Sequence, residues 1–153
     1  MTNLYGIVLF LLVASSLTWS ETHRGFAIKG SHPDANGVTF QTATGKMRVE
    51  ICGDGVVHVI ASPSSEIPSP IVPVVTQPCH ANGLQVKTGQ TAIVLSTTAM
   101  TVSVNRSSGA LSFFSKDGKS VLAEPAAGGK AFDVPSAYEA KTWQLQQTFL
   151  SPS

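Results

Sequence analysis

The sequence predicts an all-β fold, an antiparallel β-sandwich. Apolar and polar residues alternate with period two over most of the chain from Gly37 onward, the signature of half-buried strands. Clusters of turn residues punctuate these runs about every 8–12 residues, the spacing expected of sandwiches and barrels. No stretch keeps a helical period over about eleven residues. One face of one sheet cannot bury itself, so the alternation requires a second sheet to cover the first.

The elements follow in order. Lys46–Ile51 places Met47, Val49 and Ile51 on one face and Lys46, Arg48 and Glu50 on the other. Cys52, Gly53, Asp54 and Gly55 then supply turn residues that tolerate positive φ. Val56 to Ala61 is apolar almost throughout and is expected to return as a more buried strand, closing a β-hairpin. Residues 83–87, 91–96 and 99–105 read as three further strands. In the last, Met100, Val102 and Val104 face one way while Thr101 and Ser103 face the other. Residues 105–109 form a turn, and 110–114 the returning strand. Lys116-Asp117-Gly118-Lys119 is the strongest hairpin signal in the chain, Asp-Gly between β-formers. Residues 120–122 continue from it, and 142–150 close the series.

Two stretches break the alternation. Residues 62–78 hold Pro63, Pro68, Pro70, Pro73 and Pro78, which remove ladder donors and impose extended geometry. This reads as a surface connection, with residues 71–75 a candidate edge strand. Residues 124–141, rich in Ala, Gly and Pro and carrying Phe132, Asp133 and Tyr138, read as a long loop.

The 153 residues bound the function. Ten Lys+Arg against nine Asp+Glu leave no basic face of the kind nucleic-acid binding needs. A charged fraction of 12% is far below that of disordered chains. Residues 1–20 contain no Asp, Glu, Lys or Arg, and an apolar run from Gly6 to Ala14 is followed by small residues. This is the pattern of a secretory signal peptide, with cleavage expected after Ser16 or Ser20, and an uncleaved anchor as the alternative. The run is too short for a bilayer, which needs about 20 residues. The expected organisation is a signal peptide over 1–20, an N-terminal extension over 21–36, and the sandwich over 37–153. Export would permit a disulfide between Cys52 and Cys79, the two cysteines of the chain; two separate thiols are the other possibility.

Reactive constellations are not legible. Gly53-Asp54-Gly55 begins like a dinucleotide fingerprint but lacks the third glycine and a following helix. There is no phosphate-binding loop, no H-E-x-x-H and no nucleophile elbow. Cys79 and His80 are sequential neighbours that cannot easily share one tetrahedral ion, and His23, His32, His58 and His80 show no metal spacing. His58 is expected to be a surface or half-buried strand residue. Nine scattered carboxylates nominate no pair for glycoside chemistry. Asn105-Arg106-Ser107 is formally a glycosylation acceptor, but a turn explains Asn105 equally well. Trp143 and Tyr138 could stack on a sugar ring, though Trp143, alternating with Leu145, reads rather as core. The sequence therefore nominates no catalytic, cofactor-binding or metal-binding residue and no cofactor.

Residues 37–153 resemble the N-terminal domain of glycoside hydrolase family 31, the family of α-glucosidases and α-xylosidases. The likeness lies in GKMRVEICGDGVVHVIASP (45–63), STTAMTVSVNRSSGALSFFSKDGKSVLAE (96–124) and LQQTFLSPS (145–153). The chain departs at His58-Val59, where members often carry Arg-Val, and matches poorly over residues 62–78. The resemblance implies a galactose mutarotase-like β-sandwich that packs on a (β/α)8 barrel. The barrel would carry the two catalytic aspartates of a retaining mechanism, and neither can be placed in this chain. A barrel alone takes about 250 residues, so the chain looks like a fragment. The resemblance implies an exported, periplasmic or extracellular, non-catalytic domain. Its partners would be the barrel of the same polypeptide and an α-linked oligosaccharide substrate, with no nucleic acid and no membrane after signal removal. Residues 124–141 would be the loop lent to the active-site rim. A free-standing secreted carbohydrate-binding module and a plain structural sandwich are the alternatives.

Overall fold

A computed structural model describes residues 26–53, 55–67, 79–133 and 144–151. Their strands are β1 (Ile28–Pro33), β2 (Gly37–Thr42), β3 (Lys46–Ile51), β4 (Val57–Ser62), β5 (Gln85–Thr88), β6 (Ala92–Ser96), β7 (Met100–Asn105), β8 (Leu111–Ser115), β9 (Ser120–Ala123), β10 (Lys130–Asp133) and β11 (Gln144–Gln147). Every pairing is antiparallel. The sheets are two meanders, β1-β2-β3-β4 and β5-β6-β7-β8-β9, with a ribbon of β10 and β11 beside them. The fold is an all-β sandwich.

The alternation does what the sequence requires. In β3, Met47, Val49 and Ile51 are buried while Lys46, Arg48 and Glu50 are half-buried on the outer face. Val38 and Phe40 of β2 join them from the first sheet; Ile93, Leu95, Val102, Val104 and Leu111 answer from the second. All of these side chains except Ile51 form the apolar layer between the sheets, and Ile28 completes it. Each contributes roughly 1.5–3 kcal/mol by leaving water. The Asp-Gly hairpin forms as expected: Gly118 takes φ 76°, and its N–H donates to the Ser115 carbonyl at 2.9 Å. At the β7–β8 turn the Asn105 side-chain oxygen accepts from the backbone N–H of Ser107 and Ser108. Gly109 there has φ 67°, and a Cβ would run into the Phe26 carbonyl, so only glycine fits.

Three expectations change. Residues 21–36, set apart as an extension, contain β1, which pairs with β2 and brings Ile28 into the core. Strand β4 is half-buried along Val57 to Ala61, and Val56 is 58% exposed. Among the described residues it ends its sheet, so the apolar run read as a more buried strand stands at an edge. The long loop read over 124–141 contains β10, paired with β11 from Lys130↔Gln147 to Asp133↔Gln144. Strand β11 is exposed along its length, Leu145 included at 47%. Residues 1–20, expected to be a signal peptide, and residues 71–75, Tyr138 and Trp143 lie outside the described residues.

Candidate functional site

The seam between the second sheet and the ribbon carries a buried polar cluster. After β9, the Glu124 backbone N–H donates to the Leu111 carbonyl at 2.8 Å. Its carboxylate turns back so that Oε2 accepts from the Leu111 N–H at 2.9 Å. A turn at Pro125–Gly128 then returns the chain into β10. This brings the Lys130 ammonium onto Glu124 Oε2, in an ion pair whose side chains are 2% and 0% exposed. Lys130 also donates to the Gly109 carbonyl at 3.3 Å and lies 5.6 Å from the Phe26 ring centroid. The Phe26 ring stacks on Phe132 of β10. Gln147 of β11 donates to Glu124 Oε1 at 2.8 Å. Burial pushes the Lys130 ammonium below its usual range, while the Glu124 carboxylate pulls it back. Both oxygens of Glu124 are thus engaged by protein donors. The cluster is a clamp that fastens β10 and β11 to the second sheet.

A second polar group lies on the outer face of the first sheet. Arg48 of β3 makes a fork to Asp34 at 2.6 and 3.2 Å and reaches Glu50 at 3.0 Å. The Arg48 hydrogen bond holds the Asp34 carboxyl below the usual carboxylate range, and Asp34 in turn raises the guanidinium. Glu50 stands opposite His58 in the β3–β4 ladder, with 3.7 Å between its Oε2 and His58 Nδ1. His58 is half-buried, as its strand position suggests. Cys52, two residues beyond Glu50, is bonded to Cys79. Cys52, Glu50, His58 and Cys79 offer ligand atoms all within 4.8 Å of one another. The sequence concealed this grouping, because it depends on the cross-strand register and on the path by which Cys79 returns. Cys79 meets His58 here, not its neighbour His80.

Two grooves lie among the described residues. One, of about 360 Å³, opens between the edge strands β4 and β9 and is lined by Val57, Val59, Leu111, Phe113, Val121 and Phe149. The other, about 340 Å³, is more polar and runs past Thr91, Ser103, Asn105, Ser112 and Glu124. The Asn105 side-chain oxygen is engaged in its turn, which accounts for the residue structurally. Among the described residues, no helix is long and apolar enough to cross a membrane.

No family model matches the chain. Its structure is similar to that of a glycoside hydrolase family 31 α-xylosidase from Xanthomonas citri, with a TM-score of 0.66 and 26% identity, over 79% of this chain and 13% of that one. It shares its fold with part of a family 31 dextranase from Flavobacterium johnsoniae, with a TM-score of 0.59 and 20% identity, over 72% of this chain and 14% of that one. An uncharacterized protein from Listeria monocytogenes matches at a TM-score of 0.56 and 12% identity, over 70% of this chain and 10% of that one. The chain therefore spans between 10% and 14% of the length of these structures. It is similar to a domain of family 31 glycosidases, as the three sequence stretches said.

Proposed function

We propose that this chain is the N-terminal, non-catalytic sandwich of an exported α-glycosidase, of the galactose mutarotase-like kind found in family 31. The observation that carries the reading is the likeness to the Xanthomonas α-xylosidase, confined to one small part of that enzyme. In this reading the domain covers one flank of a catalytic barrel and shapes the entrance for an α-linked oligosaccharide. Leu145, Phe149 and Leu150, each 43–50% exposed on or beside the ribbon, supply the apolar surface such packing requires. The Glu124–Lys130 clamp holds that ribbon in a fixed position. A leader over residues 1–20 and the Cys52–Cys79 bridge suit an oxidising compartment outside the cytoplasm.

The codons downstream of this chain in its source genome provide the test. A barrel-coding region with two catalytic aspartates supports the reading, and several hundred codons without one overturn it. Affinity electrophoresis of the purified chain through α-glucan and xyloglucan gels addresses the competing reading. Retardation there, with no barrel downstream, would instead make the chain a free-standing sugar-binding module.

A further inference from the structure

We propose that opening the Cys52–Cys79 disulfide converts the outer face of the β3–β4 hairpin into a tetrahedral site for a zinc-like divalent ion, with Cys52, Cys79, His58 and Glu50 as ligands. The inference is independent of the glycosidase reading. Four ligand atoms of suitable chemistry already lie within 4.8 Å of one another. A zinc ion with Zn–S of about 2.3 Å and Zn–N of about 2.0–2.1 Å sets neighbouring ligand atoms roughly 3.3–3.8 Å apart, so modest side-chain rotation closes the shell. Two thiolates and an imidazole are the donor set that favours zinc over harder ions such as calcium or magnesium.

Contacts other than the disulfide also position these groups. Glu50 and His58 are direct partners in the β3–β4 ladder. The Cys52 N–H donates to the Val56 carbonyl at 2.9 Å, which fixes the turn. Cys79 is retained by a separate tether: the Ala81 N–H donates to Asn36 Oδ1 at 3.3 Å, on the turn between β1 and β2. Two thiolates and Glu50 bring three negative charges against the two of the ion, and Arg48, shared between Glu50 at 3.0 Å and Asp34, offsets part of the remainder. The chemistry is conserved in atoms and electrons. A phosphine delivers two electrons to the disulfide and leaves as its oxide with oxygen from water, giving two thiols. Metal entry then releases both thiol protons to solvent. Oxidised and metal-bound forms exclude one another, because the same two sulfurs serve both.

The untagged full chain, reduced with a phosphine under inert gas, would be titrated with Co(II) and then Zn(II). One Co(II) per chain is expected, with thiolate charge-transfer and tetrahedral ligand-field absorption that Zn(II) abolishes; the oxidised chain should bind none. His58→Ala and Glu50→Gln should each weaken binding by at least the roughly 10–100-fold that loss of a supporting partner costs. Equal binding by the oxidised chain, or undiminished binding in both variants, overturns the proposal. Should the reduced chain lose its β-type far-ultraviolet spectrum, Zn(II) must restore it, and failure to restore it overturns the proposal as well.

Discussion

The interior between the sheets and the seam at the ribbon are both sealed from water, yet they are built from opposite materials. Between the sheets, Val38, Phe40, Met47, Val49, Ile93, Leu95, Val102, Val104 and Leu111 are at most 1% exposed and wholly apolar. At the seam, an ammonium and a carboxylate are buried to a similar degree and tied to backbone groups and an amide. The first kind of interior stabilises through area and tolerates shape-conserving change. The second gains little net energy over an apolar replacement, but it fails badly if half of it is removed. Adhesion of the sheets is therefore general, while attachment of the ribbon is specific.

That contrast can be broken at either end. Phe40→Ala opens a cavity at the centre of the apolar layer and should cost about 3–5 kcal/mol in denaturant unfolding. Glu124→Ala leaves the Lys130 ammonium buried without its partner, at a cost of about 3–5 kcal/mol. The paired change Glu124→Leu with Lys130→Met removes both charges together. Its unfolding free energy should recover most of that loss, short of the parent by the roughly 1–3 kcal/mol that the buried, now unpaired Leu111 N–H costs. No comparable second-site rescue is expected for Phe40→Ala. Cys79→Ser lies in neither region; it should cost about 2–4 kcal/mol by freeing the unfolded chain, and reductant should no longer affect the variant's midpoint.

The smallest effect sharpens the comparison from outside. The Asp34–Arg48 pair is on the surface, with Asp34 about half exposed. Asp34→Asn should cost only about 0.2–1 kcal/mol and less in high salt. Its pH dependence has a defined sign. The folded carboxyl is held below its unfolded value, so its contribution is complete above about pH 4 and is lost as pH falls through the lowered value. Unfolding midpoints of the parent and the variant should converge in acid and separate toward neutrality.

The difference between the regions also explains what the sequence disclosed. Period two wrote the buried faces openly: Met47, Val49 and Ile51 in β3, and Val102 and Val104 in β7, are where alternation puts them. The Asp-Gly turn was legible for the same local reason. The clamp was not, because Glu124 and Lys130 are joined by a turn and a tertiary return that no periodicity records. Strand β10 is four residues between Gly129 and Val134, too short to show a period. Strand β1 has one apolar residue in the core, Ile28, and forms because β2 offers it an edge. Strand β4 misled in the other direction, since VHVIA looks the same on an edge as in a centre. The grouping of His58 with Glu50 and the cystine needed the register of two strands and the return of Cys79, neither of which is local.

The central claim is that this domain commits its polar groups to folding and positioning, and leaves hydrolysis to a barrel. The direct measurement is turnover of aryl α-xylosides and α-glucosides by the purified chain alone. The account predicts a rate indistinguishable from buffer. Saturable hydrolysis that follows the chain through successive purification steps would contradict it.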